Sequence, residues 1–434
     1  MGRIIDNIGQ FVKKVFRQDI VKVFSFTSIS TIVKMLTSFI SMKVIAIVIG
    51  PSGVALLGQL SNFSSIAMTA ASGGINNGIT KYVAEFRQSD SKVKTLLSTA
   101  LKITIICSLI CGILMIAFNS FLSRTIMLAN GYEYVFIIFG ITILFYALNA
   151  LLVSILNGYK DFKKYVTVNI VGSVVGLIFT LIFVFTLGLK GALISAVTFQ
   201  SVIFVITLWM VRKLPWFKKS NFQEKIDRYT TKKYFGYALM TFATIITVPI
   251  AQLVLRSYVI SNISIVEAGW WESMNKISSM YLMVITSSFS VYYLPRLSEI
   301  HDKLELKKEI FTAYKLIIPL IIVGFAAIYF LRFLIIRVLF TPDFLPMENL
   351  FIWQLAGDFF KISSWLLSFL MVAKSMTKSF IATEILFSAL FVGLSFIFMK
   401  FNGVVGITQG YLVTYFIYMI TMVILFKNTI FAHK

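Results

Sequence analysis

Apolar runs of about 20 residues or more recur from Ile20 to Phe426, and each is long enough to cross a hydrocarbon core about 30 Å thick. That repetition excludes a soluble fold. Only 13% of the 434 residues are charged and the mean hydropathy is +0.87, whereas soluble domains carry about 25% charged residues. The chain reads as an all-α polytopic membrane protein.

Twelve spans can be drawn: 20–49, 53–84, 93–119, 133–157, 164–187, 190–211, 233–259, 265–295, 308–338, 345–372, 377–399 and 403–427. Basic residues gather in the loops after even-numbered spans, among them Arg87, Lys92 and Lys94, then Lys160, Lys163 and Lys164. The loops after odd-numbered spans hold little beyond Arg124, Lys190, Arg337 and Lys400. The positive-inside rule then puts both termini in the cytoplasm. It also accounts for the formal charge of +22 without any nucleic-acid partner.

The longest connection, 212–232, divides the chain into a first lobe at 20–211 and a second at 233–427, with a short cytoplasmic tail at 428–434. Both halves start inside, so a duplication would be a parallel repeat. Laying Gly53–Ile66 on Val266–Ser279 pairs Ala55 with Ala268, Gln59 with Glu272, Asn62 with Asn275 and Ser65 with Ser278. Residues 1–19 space Ile4, Ile8, Phe11 and Val15 against Lys13, Lys14 and Arg17. They read as a helix on an anionic surface or as a basic tail. No cleaved leader is visible.

Thr69–Phe86 is the most polar part of a span. Gly74 and Gly78 form a small-xxx-small step that admits another helix backbone, and Asn76, Asn77 and Thr80 need partners or water at membrane depth. The stretch fits tight helix packing, a cavity wall, or both. Pro249 and Pro319 fall inside spans seven and nine, where each should kink its helix.

Charges inside spans are costly and usually face a protein interior or a wet cavity. Lys102, Lys315 and Arg332 lie close enough to a span end to snorkel, as do Lys43 and Arg256 towards the outer face. Lys34, Glu272, Lys276, Asp358 and Lys361 lie about 10–20 Å deep at 1.5 Å per residue. Glu272 and Lys276 are four apart, and Asp358 and Lys361 three apart, so each couple shares a helix face and can pair. Lys34 has no partner in its own span, and a cation in a wet cavity can hold a phosphate.

Enzyme signals are missing. There is no phosphate-binding G-x-x-x-x-G-K-[ST] loop, no long outward loop, and no catalytic triad with His to spare. Cys107 and Cys111 share a helix face, where a disulfide is geometrically poor, and with only two histidines no metal or cofactor is expected. The chain reads as a carrier.

The run GPSGVALLGQLSNFSSI from Gly50, then GGINNGITKYVAEF from Gly73, resembles the Wzx-type oligosaccharide-lipid flippases of the multidrug/oligosaccharidyl-lipid/polysaccharide exporter superfamily. AGWWESMNKIS from Ala268 is similar to that family's second-half pattern. The resemblance implies two six-helix lobes around a central cavity lined by spans one, two, seven and eight, with alternating access by rocking. It implies as substrate an undecaprenyl-pyrophosphate-linked repeat unit of O-antigen or enterobacterial common antigen, in a bacterial inner membrane. Glycan polymerase and chain-length regulator proteins are the implied partners. On that reading Lys34, Arg256 and Lys276 attract the pyrophosphate and Asn76 and Asn77 contact sugar or phosphate. Glu272 and Asp358 are the candidates for coupling to H+ or Na+. The rivals are a cation-coupled multidrug exporter and a membrane-embedded glycan polymerase or ligase.

Overall fold

The computed structural model describes residues 19–289, 293–300, 302–374 and 376–430; among them every regular element is a helix. The first half contains α1 (Asp19–Ala71), α2 (Asn76–Phe86), α3 (Asp90–Ala117), α4 (Asn119–Ile126), α5 (Glu133–Gly158) and α6 (Phe162–Val211). The second contains α7 (Arg228–Asn262), α8 (Ile265–Ser288), α9 (Leu294–Glu299), α10 (Lys303–Phe330), α11 (Arg332–Leu339), α12 (Glu348–Ala373), α13 (Thr377–Asn402), α14 (Val405–Leu425) and α15 (Lys427–Ile430). The expected surface segment 1–19 lies, but for Asp19, outside the described residues.

Among the described residues, nine helices are long and apolar enough to cross a membrane. Two of them hold more than one crossing. In α1 the backbone leaves helical torsions at Gly50 (φ 61°, ψ −172°), and in α6 at Gly188 (φ 56°, ψ −130°). Glycine takes a positive φ without steric cost, and Pro51 then starts the next helix with its φ already set. With α8, whose Glu267, Glu272 and Lys276 dilute its apolar run, the arrangement is compatible with twelve crossings in two halves.

Several expectations change. Span two is not one helix: it breaks at 72–75, where Gly73 and Gly74 have φ of 66° and 65°. Gly74 and Gly78 therefore form no helical small-xxx-small step. The close approach survives by other means, because a Cβ on Gly74 would lie 3.2 Å from the Phe242 ring and 3.3 Å from the Ala238 backbone of α7. In span eight the α-helix runs to Ser288, and span nine breaks at Leu331 between α10 and α11. The helices run on through Pro249 and Pro319.

Within the first half, α5 and α6 pack on α1 and α3 around Leu60, Phe136, Phe139 and Val197. In the second, α12, α13 and α14 pack together, with Leu366, Leu370, Tyr418 and Met422 buried. A third cluster joins the halves: Met42, Ala46 and Val54 of α1 meet Leu255 and Val259 of α7, Trp271 of α8 and Phe340. Lipid tails are as apolar as these side chains, so dispersion and polar contacts hold the helices together rather than escape from water.

Lys43 belongs to that junction. Its ammonium donates to the carbonyls of Arg337 (2.9 Å) and Phe340 (2.5 Å). The last carbonyls of a helix have no partner within it and carry its negative end, so a first-half lysine caps α11 of the second half.

The 212–232 connection is fastened to α3. Ser98 donates to the Asn221 carbonyl (3.2 Å) and accepts from the Glu224 amide (3.0 Å), and Lys102 reaches the connection itself, donating to the Glu224 carbonyl (2.7 Å). The Asp227 amide donates to the Thr99 hydroxyl (3.3 Å), and Trp216 stacks on Tyr159 with ring centroids 5.7 Å apart. Asp227 then caps α7, accepting from the Thr230 amide (2.7 Å) and hydroxyl (2.7 Å). These bonds hold its carboxyl below the usual Asp range, the Thr230 hydroxyl contributing most.

Candidate functional site

Where α1 crosses α8, Gly58 faces Glu272: a Cβ there would lie 2.5 Å from the carboxyl carbon. Only a glycine leaves that space. The Glu272 carboxylate is buried and accepts a short bond from Nη2 of Arg256 on α7. Lys276, one turn along α8, brings its ammonium to 3.9 Å from the other Glu272 oxygen. The Arg256 guanidinium also lies 5.2 Å from the Trp271 ring centre, within cation–π range. Arg256 is 0% exposed, so the expectation that it snorkels outward fails: a nearer carboxylate and an aromatic face hold it in the interior.

Three charges therefore meet, two cations on one carboxylate. On the same helices, within a turn of Gly58, Arg256 or Glu272, are buried polar atoms with no hydrogen-bond partner among the described residues: Nε and Nη1 of Arg256, Nδ2 of Asn62, Nδ2 of Asn275 and Oε1 of Gln59. Gln59 spends its amide nitrogen on the Ser257 hydroxyl. Leaving a buried polar group unpaired costs about 1–3 kcal/mol, and most native structures avoid it. The unpaired set is rich in donors and sits beside net positive charge. It suits an acceptor-rich, anionic group.

A second polar centre lies deeper in the second half. Asp358 of α12 is 0% exposed. Its Oδ2 accepts from Ser278 (2.7 Å), Tyr281 (2.5 Å) and Gln354 (3.2 Å), and its Oδ1 accepts from Tyr411 (2.7 Å). Lys361 does not pair with Asp358 directly, as their spacing suggested. Its ammonium donates to the Tyr411 hydroxyl at 3.0 Å, so the two charges communicate through a phenol. A carboxylate satisfied by four neutral donors can gain or lose a positive charge without breaking an ion pair.

Of the residues singled out from sequence, Arg256, Glu272 and Lys276 come together, and Asp358 of α12 is bonded to Ser278 and Tyr281 of the same α8 that carries Glu272 and Lys276. Lys34 lies on an exposed face of α1, and no described residue pairs with it. Asn76 opens α2 with Oδ1 unpartnered, beside the Gly74 contact to α7, and Asn77 is exposed. Among the described residues no hydrogen bond or ion pair joins Lys34, Asn76 or Asn77 to the Arg256 cluster. Tyr281 and Tyr411 were missed; in a chain with 18 tyrosines no local pattern marks two of them. Gln59 and Asn62 had a signal: the half-repeat aligns them with Glu272 and Asn275, and these residues furnish the junction.

The sequence matches the model of the polysaccharide biosynthesis protein family over residues 20–301. The chain belongs to that family. Relatives of this family member include the lipid III flippase of Escherichia coli strain K12 and that of Shigella flexneri. Each is 25% identical over 393 residues, 91% of this chain and 94% of the relative. Among solved structures it resembles an inward-facing multidrug resistance MATE family transporter of the MOP superfamily (TM-score 0.76, 15% identity, 92% of this chain and 96% of the other). It also resembles the lipid II flippase MurJ in an inward closed conformation (TM-score 0.72, 17% identity, 94% and 87%). These relatives carry transporter names, in keeping with a carrier rather than an enzyme.

Proposed function

We propose that the protein is a flippase that carries an undecaprenyl-pyrophosphate-linked oligosaccharide, an O-antigen or related surface-glycan unit, from the cytoplasmic to the periplasmic leaflet of a bacterial inner membrane. The observation that carries this is the junction of the halves, where two cations share one carboxylate and buried donors of Arg256, Asn62 and Asn275 have no partner among the described residues. A pyrophosphate bears the charge and the acceptor oxygens such a site lacks. The lipid III flippase relatives support a lipid-linked glycan as the substrate class.

Lys34 meets the headgroup first, Arg256 and Lys276 hold the pyrophosphate, and Asn76 and Asn77 contact sugar or phosphate as the lobes rock. Asp358 and Glu272 take up the coupling H+ or Na+, and a glycan polymerase with its chain-length regulator receives the product. A multidrug exporter of the same fold would hold cationic drugs on an acidic surface, which this junction is not.

The test is transfer of a labelled polyprenyl-pyrophosphate oligosaccharide across proteoliposomes containing only this protein, with and without an H+ or Na+ gradient. Gradient-dependent arrival in the far leaflet is expected. No transfer by folded protein would reject the reading.

A further inference from the structure

A pocket of about 380 Å³ opens in the second half where the end of α10 and the start of α11 meet the starts of α12 and α14 and the end of α13. It lies at the end of the bundle opposite the 212–232 connection, and none of its lining residues belongs to either polar centre. Its walls are unlike the apolar faces around it. Trp353 is 37% exposed and lines the pocket, and its ring makes no aromatic or cation–π contact with a described residue, so part of the indole is open to a ligand.

The charged groups of the pocket are already committed. Arg332 lies 3.4 Å from the Glu348 carboxylate, donates to the Tyr329 carbonyl at 2.9 Å, and stacks 4.3 Å from the Tyr329 ring centre. With one cation neutralised by one anion, the pocket has no spare charge to hold a phosphate or a sulfate. Across from them, Asn402 donates to Gln409 at 2.7 Å. That bond uses one atom of each amide and leaves an acceptor on Asn402 beside a donor on Gln409. A neighbouring acceptor and donor fit two vicinal hydroxyls, and a ring with hydroxyls on its edge and C–H groups on its face matches the indole.

We propose that this pocket binds the ring of a neutral saccharide. That the physiological saccharide is part of the carried glycan, gripped as it emerges, rests on the flippase reading; the preference for a sugar does not. An open site holding one ring is expected to bind at about millimolar strength.

The test is saturation-transfer NMR on the full chain in nanodiscs with glucose, galactose and N-acetylglucosamine as probes. At least one is expected to saturate. Its affinity should fall about ten-fold or more in Trp353→Ala and in Asn402→Ala, and stay unchanged in Trp209→Ala, an exposed tryptophan of α6. Because Trp353→Ala could disturb α12, Asn402→Ala, at an exposed position, carries the decision, with thermal unfolding confirming its fold. No saturating sugar, or affinity unchanged in Asn402→Ala, would overturn the inference. So would glycerol 3-phosphate binding in place of every sugar, which would make this a lipid-headgroup site. Sugar binding without any flipping would reject the proposed function and leave this inference standing; flipping without sugar binding would do the reverse.

Discussion

Ser278 of α8 donates a 2.7 Å hydrogen bond to Asp358 of α12, and Tyr281, one turn further along α8, donates to the same oxygen. Six residues before Ser278 on the same helix stands Glu272, the carboxylate of the junction between the halves. A charge change at Asp358 would weaken two anchors of α8, the nearer of them about 9 Å along the helix from Glu272 at 1.5 Å per residue. One helix thus contributes to both centres.

Asp358→Asn keeps the shape and removes the charge. Hydrogen bonds to a charged group are each worth about 1.5–3 kcal/mol, so transport in proteoliposomes should lose its gradient dependence, with gradient-driven rates falling about ten-fold or more. Unchanged gradient response would remove Asp358 from coupling.

Glu272→Gln leaves Arg256 buried without its carboxylate, a change that costs roughly 3–5 kcal/mol. A marked drop in thermal stability is expected in detergent. The double variant Arg256→Met with Glu272→Leu should regain most of that stability and still fail to flip substrate. Wild-type flipping by the double variant would make the pair purely structural.

Gly74→Ala and Gly131→Ala both place a side chain at positive φ, but Gly131 faces open space while Gly74 faces Ala238 and Phe242. Left-handed strain costs about 1–2 kcal/mol at either site, and overpacking adds about 1–3 kcal/mol at Gly74 alone. Thermal unfolding should rank Gly74→Ala clearly below Gly131→Ala; equal values would mean that the approach of α2 to α7 is slack.

Lys43→Met removes the cap on the α11 carbonyls. Loss of a charge-assisted bond worth about 1.5–3 kcal/mol shifts a two-state equilibrium about ten-fold or more. Spin-label distances between α1 and α11 should show a larger separated population, and identical distributions would show that the cap does not hold the halves together.

The Asp227 cap gives a pH dependence with a definite sign. A carboxyl whose folded pKa is lowered stabilises the fold above its unfolded pKa, and that contribution fades as pH falls through the ordinary Asp range to the lowered value. Hydrogen exchange at the start of α7 should speed up on acidification in the wild type. In Thr230→Val, which loses the hydroxyl donor, it should start faster and respond less; a parallel response would mean another group sets it.

The helical class and the positions of most spans were legible because apolar length is a direct physical demand of the bilayer. The deep charges Glu272, Lys276 and Asp358 were legible for the converse reason, since their cost demands a partner. What could not be read were contacts made by residues with two cheap alternatives. Lys43 and Lys102 are long enough to reach water, so sequence offers no reason for the carbonyls they bind. The break at Gly73 and Gly74 was hidden because two glycines serve close packing and a left-handed turn equally well.

The connection held on α3 by Ser98, Thr99 and Lys102 leaves the joint between the halves almost no slack. A tether of that length could let the second half drift; here it is part of the first half's wall up to Asp227. If the lobes rock as proposed, this would act like a single hinge pin with α7 as the stile, the angle free to change and the axis held. Loosening those few bonds would leave every binding group intact and spoil the motion.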